Sequence, residues 1–235
     1  MNNIKDILSG FDCWDLGGGA NSIEWMKDAF SVQSPVAINP GDNYGRIDAL
    51  KNEGYPVLQL SALEIPEDAH TNIISMFHML EHLPSEQAAV DLVKRALHQA
   101  EKFVVIAGPF FESDVKLRKH EGLKFNWADW DDHALKFSLT QIEDVLEACG
   151  LWTTDYSVSL GFPATHSSDV NIFSVDEARN QGDYDPAIHL PKPHKDLKRN
   201  YFKEFMVVIP RDARISYGAL DYYHTKRHGP KSMLN

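Results

Sequence analysis

Asp15-Leu16-Gly17-Gly18-Gly19-Ala20-Asn21 joins a short apolar stretch, residues 12 to 16, to a segment with helical spacing, Ile23 to Phe30. Three successive glycines let the backbone turn sharply at little steric cost. Ser22 is the expected N-cap of the helix that follows. A Gly-rich turn between strand and helix leaves backbone N–H groups facing a crevice in which a ligand can lie. The spacing Gly17-x-Gly19-x-x-Ser22 approaches the dinucleotide fingerprint. That fingerprint wants an acid about twenty residues on, where this chain carries Asn39, so a nicotinamide cofactor falls behind.

The second informative stretch is Asn72-Ile73-Ile74-Ser75-Met76-Phe77, an apolar strand, followed at its carboxyl end by His78-Met79-Leu80-Glu81-His82-Leu83-Pro84. Ligands of open α/β sheets bind at carboxyl ends of strands. Working outward, strands are expected at 12–16, 35–39, 56–60, 72–77, 102–107, 152–160 and 204–209, with helices at 22–30, 45–53, 85–100 and 139–149. Ser85 after Pro84 starts one helix, Thr140-Gln141-Ile142-Glu143 reads as a capping box, and Gly150 as a helix stop. The alternation predicts an α/β, doubly wound, Rossmann-like seven-stranded sheet, mostly parallel with an antiparallel last strand.

Asp15 to Asn21, the strand Pro35 to Asn39, Ser61-Ala62 and Phe77 to Pro84 together resemble the class I S-adenosylmethionine-dependent methyltransferases, most closely the small-molecule branch with an HxLEH signature. The resemblance spans roughly residues 10 to 150. It implies S-adenosylmethionine as cofactor and a small-molecule or glycan-type acceptor. It also implies a cofactor site of Asp15, Gly17, Gly18, Gly19, Asn21, Asn39, Ser61, Ala62, Phe77, His78 and Met79. Gly17 and Gly19 would be glycine because a side chain there would push into the ligand, and Asn21, in place of a third glycine, tolerates left-handed geometry. Asn39 stands where the family carries an acid for the ribose hydroxyls, with Asp42 as a substitute. Ser61 replaces the acid of an Asp-Ala pair that meets adenine. His133 and His82 are the candidate catalytic residues. The carboxylates Asp131 and Asp132 beside His133 favour its imidazolium form, whereas a general base needs a neutral ring. Glu81 and His82 supply too few ligands for a metal site to be assigned. The alternative is a catalytically weak methyltransferase-like binding or scaffold subunit, motivated by Asn39, Ser61 and Asn72 standing where acids are expected.

Composition agrees with an ordinary globular protein. The 235 residues are 43% hydrophobic and 24% charged, with a formal net charge of −11 that opposes nucleic-acid binding. No apolar run reaches membrane-span length and no signal-peptide pattern opens the chain, so no membrane partner and a cytoplasmic location are expected. Cys13 and Cys149 read as structural thiols. Lys192, Lys195, Lys198 and Arg199, with Lys226, Arg227 and Lys231, read as solvated charge. The whole chain, residues 1–235, is expected as one domain with excursions at about 110–136 and 164–201. Trp127 and Trp130 would make the first a lid or acceptor wall, and the second is a candidate substrate cover or arm of a homo-oligomer.

Overall fold

In the computed structural model, which describes residues 3–41, 45–178 and 182–211, the chain runs α1 (Ile4–Leu8), β1 (Cys13–Leu16), α2 (Ala20–Phe30), β2 (Pro35–Asn39), α3 (Arg46–Asn52), β3 (Val57–Gln59) and β4 (Thr71–Phe77). It continues through α4 (Glu86–Gln99), β5 (Ala100–Pro109), α5 (Phe111–Glu121), β6 (Leu123–Phe125), α6 (Leu139–Ala148), β7 (Ser157–His166), β8 (Ile172–Ser174) and β9 (Asp196–Pro210). Seven strands form one sheet in the order β3-β2-β1-β4-β5-β9-β7. The strands β1 to β5 pair parallel, and β9 runs antiparallel between β5 and β7. This is the Rossmann-like sheet read from the sequence.

Every residue of β1 and β2 is buried, as a parallel strand covered by helices on both faces requires. After β1 the chain moves outward to β2 and β3, then crosses back to place β4 on the other side of β1. The order therefore reverses between β1 and β4, and that reversal opens a crevice at their carboxyl ends. The largest apolar cluster, including Trp14, Ile74, Val93, Leu97, Phe137 and Ile142, packs α4 and α6 against one face. Cys13, Met26, Phe77 and Val105 belong to a cluster with Trp25 and Phe103 packed against it.

Two caps lie elsewhere than expected. The helix α2 begins at Ala20 with Gly19 as its N-cap, so Ser22 sits in the first turn. The capping box of α6 is Ser138 with Gln141, two residues before Thr140, and the Gln141 side chain accepts from the Ser138 N–H at 3.0 Å. Ser85 caps α4, accepting from Ala88 N at 3.2 Å, and Gly150 has the left-handed φ of +83° that ends α6.

The two excursions fold onto each other. Within the first lie α5 and β6, and β6 pairs antiparallel with β8 of the second. Phe111, Leu117, Phe125, Trp127, Ile172 and Tyr201 form their shared apolar cluster. The lysines expected as solvated charge include a buried one. Lys192 donates to the carbonyls of Asp169 and Ile172, both at 2.7 Å, and lies 4.0 Å from the Tyr184 ring centroid. Lys195 pairs with Glu121 at 2.9 Å, while Lys226, Arg227 and Lys231 lie outside the described residues. Among the described residues no helix is long and apolar enough to cross a membrane.

Candidate functional site

The turn after β1 is organised by one buried acid. Asp15 Oδ1 accepts from Ser75 Oγ at 2.7 Å and Oδ2 from Ser22 Oγ at 2.6 Å, which ties the turn to β4 and to the first turn of α2. Burial pushes the Asp15 carboxyl up to about 6, with the two hydroxyl donors opposing. The middle glycine is the one this acid demands. A Cβ on Gly18 would stand 1.9 Å from Asp15 Oδ2 and 2.4 Å from Ser22 Oγ. Gly17 is required by its left-handed φ of +74°, and its carbonyl accepts from Arg46 Nη1 at 2.7 Å. A Cβ on Gly19 would meet nothing within 4 Å. Among protein contacts the steric need for glycine thus falls on Gly18, whereas the need expected at Gly17 and Gly19 is toward a ligand. Asn21 is an exposed residue of α2, so the left-handed geometry expected there belongs to Gly17.

At the carboxyl end of β2, Asn39 is buried, its carbonyl accepts from Leu60 N at 3.1 Å, and its side-chain Nδ2 has no hydrogen-bond partner. An orphaned buried amide donor is costly unless something supplies an acceptor. Asp42, the expected substitute, lies outside the described residues. Ser61 caps a short 3₁₀ turn, Ala62–Glu64: its hydroxyl accepts from Leu63 N at 3.3 Å and Glu64 accepts from its N–H at 2.8 Å. Ala62 is buried beneath the same turn.

The segment after β4 carries the ionisable groups. His78 adopts a left-handed φ of +50°, rare for a side-chain-bearing residue, with its N–H held by the Ala107 carbonyl at 2.8 Å. Its Nε2 lies 3.0 Å from Glu204 Oε1 and its Nδ1 3.4 Å from Glu81 Oε1. Burial opposes ionisation of this ring, but hydrogen bonds to the two carboxylates outweigh it and push it up to about 10. Glu204, on β9 opposite Pro109 of β5, escapes sequence reasoning because the contact depends on strand register. Phe77, expected against an adenosyl group, packs edge-on to Trp25, with ring centroids 5.4 Å apart.

His82 begins outside the sheet, where its Nδ1–H donates to the Asp132 carbonyl at 3.0 Å. The His133 ring lies 5.0 Å from the His82 ring, 5.2 Å from Trp130 and 5.6 Å from Phe111. His133 is buried, and its Nδ1 has no hydrogen-bond partner. Burial pulls its imidazole below the ordinary histidine value, with Glu81 opposing. The imidazolium expected from the neighbouring aspartates is therefore not favoured, because desolvation of the ring exceeds their attraction.

These elements meet in a cleft of about 610 Å³ lined by Gly17, Asn39, Pro40, Gly41 and Arg46 from the loops after β1 and β2, His78, Met79, His82 and Leu83 from the loop after β4, and Trp130 and Asp132 from the first excursion. That volume suits a nucleoside-sized ligand. Of the expected cofactor residues, Gly17, Asn39, His78 and Met79 line it. Asp15 and Gly18 lie buried, and Gly19, Asn21, Ser61, Ala62 and Phe77 are not on its wall. Of the two expected catalytic histidines, His82 lines the cleft and His133 stands behind it. Arg46 was not legible as a site residue; it is exposed and reaches back from α3 only in the folded chain.

The sheet and its helices form the fold found in solved methyltransferase structures. A SAM-dependent methyltransferase from Archaeoglobus fulgidus aligns over 88% of this chain and 92% of its own, with a TM-score of 0.53 and 12% identity. The YcgJ protein from Bacillus subtilis aligns over 87% of this chain and 95% of its own, with a TM-score of 0.50 and 12% identity. Identities this low establish a common fold. No protein-family model matches the sequence, and no curated protein matches it.

Proposed function

We propose that this chain is an S-adenosylmethionine-dependent methyltransferase acting on a small-molecule or glycan-type acceptor. The observation that carries the reading is the meeting of Gly17, Asn39, His78 and Met79 in one cleft at the sheet's reversal point. These four positions match the family's cofactor loops in the sequence. The residues fit the cofactor: the unpartnered Asn39 Nδ2 can donate to a ribose hydroxyl and its Oδ1 can accept from one, and Gly17 leaves the turn open beside Met79.

When bound, S-adenosylmethionine supplies a methyl group on sulfonium, a leaving group good enough that no covalent enzyme intermediate is needed. The chain then contributes alignment and exclusion of water. Trp130 and Asp132, from the first excursion, line the same cleft and would form the wall that an acceptor meets. For a hydroxyl acceptor, the Glu81, His82, His133 cluster would take up the hydroxyl proton as the acceptor oxygen is methylated. Ser61, its hydroxyl and N–H both engaged in a cap, would not take the place of the acid that meets adenine in the family.

The test is transfer of labelled methyl from S-adenosylmethionine to a panel of hydroxyl, amine and carboxylate acceptors. Turnover lowered by His82→Ala supports the proposal. Sulfur-nucleotide binding with no transfer to any acceptor class favours the scaffold alternative.

A further inference from the structure

The cluster that receives the acceptor's proton has a second property, one of composition and distance. Glu81, His82 and His133 each offer a donor atom, and the three atoms lie within 4.8 Å of one another. A tetrahedral ion with bonds of about 2.0–2.2 Å sets its donors about 3.4 Å apart, within reach of small side-chain rotations from this spacing. His133 is 6% exposed and its Nδ1 has no hydrogen-bond partner, and leaving a buried imidazole nitrogen unpaired is costly. Glu81 is 2% exposed and its Oε1 lies 3.4 Å from His78 Nδ1, so its carboxylate is held beside the cluster by an ion pair with that ring.

The third donor is oriented for the task. His82 Nδ1 lies 3.0 Å from the Asp132 carbonyl, which can only accept, so Nδ1 is the protonated nitrogen and Nε2 is the one left to offer a ligand lone pair. A backbone carbonyl on the far nitrogen is the arrangement that metal-binding histidines use to set ring orientation and basicity. Asp132 Oδ2 lies 3.6 Å from the same ring nitrogen, adding negative charge beside the cluster.

We propose that Glu81, His82 and His133 form a binding site for a first-row divalent transition ion of the Zn²⁺ type, with its open positions toward the cleft. Two imidazoles and one carboxylate suit such ions better than Mg²⁺, which prefers an all-oxygen shell. Three protein ligands leave room for a water or an acceptor oxygen, and His82 at the cleft wall places that room beside Trp130 and Asp132. This deepens the methyltransferase reading. With the ion bound, it would hold and polarise the acceptor oxygen, whose proton would leave to water in the cleft, and Glu81, His82 and His133 would act as ligands; the proton-accepting role is that of the metal-free cluster.

The full chain, stripped with chelator and dialysed, is titrated with Co²⁺ by visible absorption and with Zn²⁺ and Mg²⁺ by calorimetry, alongside separate titration with S-adenosylhomocysteine. The expected result is one equivalent of Co²⁺ or Zn²⁺ at micromolar affinity or better, with Mg²⁺ much weaker. His82→Ala and Glu81→Gln should each weaken it by at least roughly 10- to 100-fold, the range lost when even an outer partner is removed. A cooperative melt and an unchanged far-UV circular dichroism spectrum in those variants show that they are folded. The histidine pair His70 and His98, with rings 5.6 Å apart, is the control for adventitious binding. No equimolar binding at tens of micromolar, undiminished binding in both variants, or binding lost in His98→Ala but kept in His82→Ala would each overturn the site. Nucleotide binding in the absence of metal binding would sink this proposal and leave the methyltransferase reading standing.

Discussion

Replacing Gly18 by alanine tests how the turn after β1 is held. The new Cβ would lie 1.9 Å from Asp15 Oδ2, 2.4 Å from Asp15 Cγ and 2.4 Å from Ser22 Oγ, distances no real contact sustains. Asp15 is wholly buried and cannot swing into water, so its bond to Ser22 must break or the strand must shift. Losing a hydrogen bond to a charged group costs about 1.5–3 kcal/mol and overpacking about 1–3 kcal/mol more, giving a loss of about 3–5 kcal/mol. For a chain of this length, that lowers Tm by roughly 10 °C. Gly19→Ala is the matched control. Its Cβ meets nothing, and the change at an N-cap should stay within about 1 kcal/mol. Urea unfolding of both variants, and of Gly18→Ala in an Asp15→Ala background, completes a double-mutant cycle in which the Gly18 effect should shrink to about 1 kcal/mol. A Gly18→Ala loss no larger than that of Gly19→Ala, or one undiminished without Asp15, would refute the reasoning.

Asp15 itself predicts a pH dependence. Its folded value, raised to about 6 from the ordinary aspartate value of 3.8, means that the native state binds the proton more tightly than the unfolded chain. The stability so conferred is fully present below about pH 4 and is lost as pH rises through about 6; Asp15→Asn should gain about 2–3 kcal/mol relative to wild type between those limits, read from melts at pH 4.5 and 7.5. Asn39→Asp should tighten S-adenosylhomocysteine binding by about tenfold, the equivalent of one added charged hydrogen bond, while lowering the stability of the ligand-free protein; calorimetry paired with thermal melts reads both. Lys192→Met leaves the carbonyls of Asp169 and Ile172 without their donor and should lower the urea midpoint by an amount corresponding to about 1–3 kcal/mol. Trp130→Ala should raise the KM of any acceptor found, with sulfur-nucleotide affinity unchanged.

The sheet was legible because β1, β2 and β4 are short, mostly apolar runs bounded by turn residues, and because α4 has apolar residues at helical spacing behind a serine cap. The helix α5 was not found by apolar periodicity. Its signal lies in charge: acids Glu112 and Asp114 in the first turn, basic residues Arg118, Lys119 and His120 in the last, with Glu112–Lys116 and Asp114–Arg118 pairs at 2.6 Å. Lys192 looked like solvated charge because sequence cannot show which carbonyls a folded loop leaves without donors. In the site, Gly17, His78 and His82 could be located from motif and strand end alone. The need for glycine at position 18 depends on a side-chain rotamer, and Glu204 on the pairing of β9 with β5, neither of which is a local property. The protonation of His133 followed burial by the first excursion rather than its neighbours in sequence.

The central claim is that the cleft between the β1 and β4 ends binds a sulfonium nucleoside. Calorimetric titration of the full chain with S-adenosylmethionine and S-adenosylhomocysteine, with NAD as the contrast ligand and Gly17→Asp as the blocked variant, tests it most directly. Saturable micromolar binding of both sulfur nucleotides, abolished by Gly17→Asp in a protein that still melts cooperatively and absent for NAD, is the predicted result. Absence of sulfur-nucleotide binding by the wild-type chain, or binding undisturbed by an acid at position 17, would contradict the account.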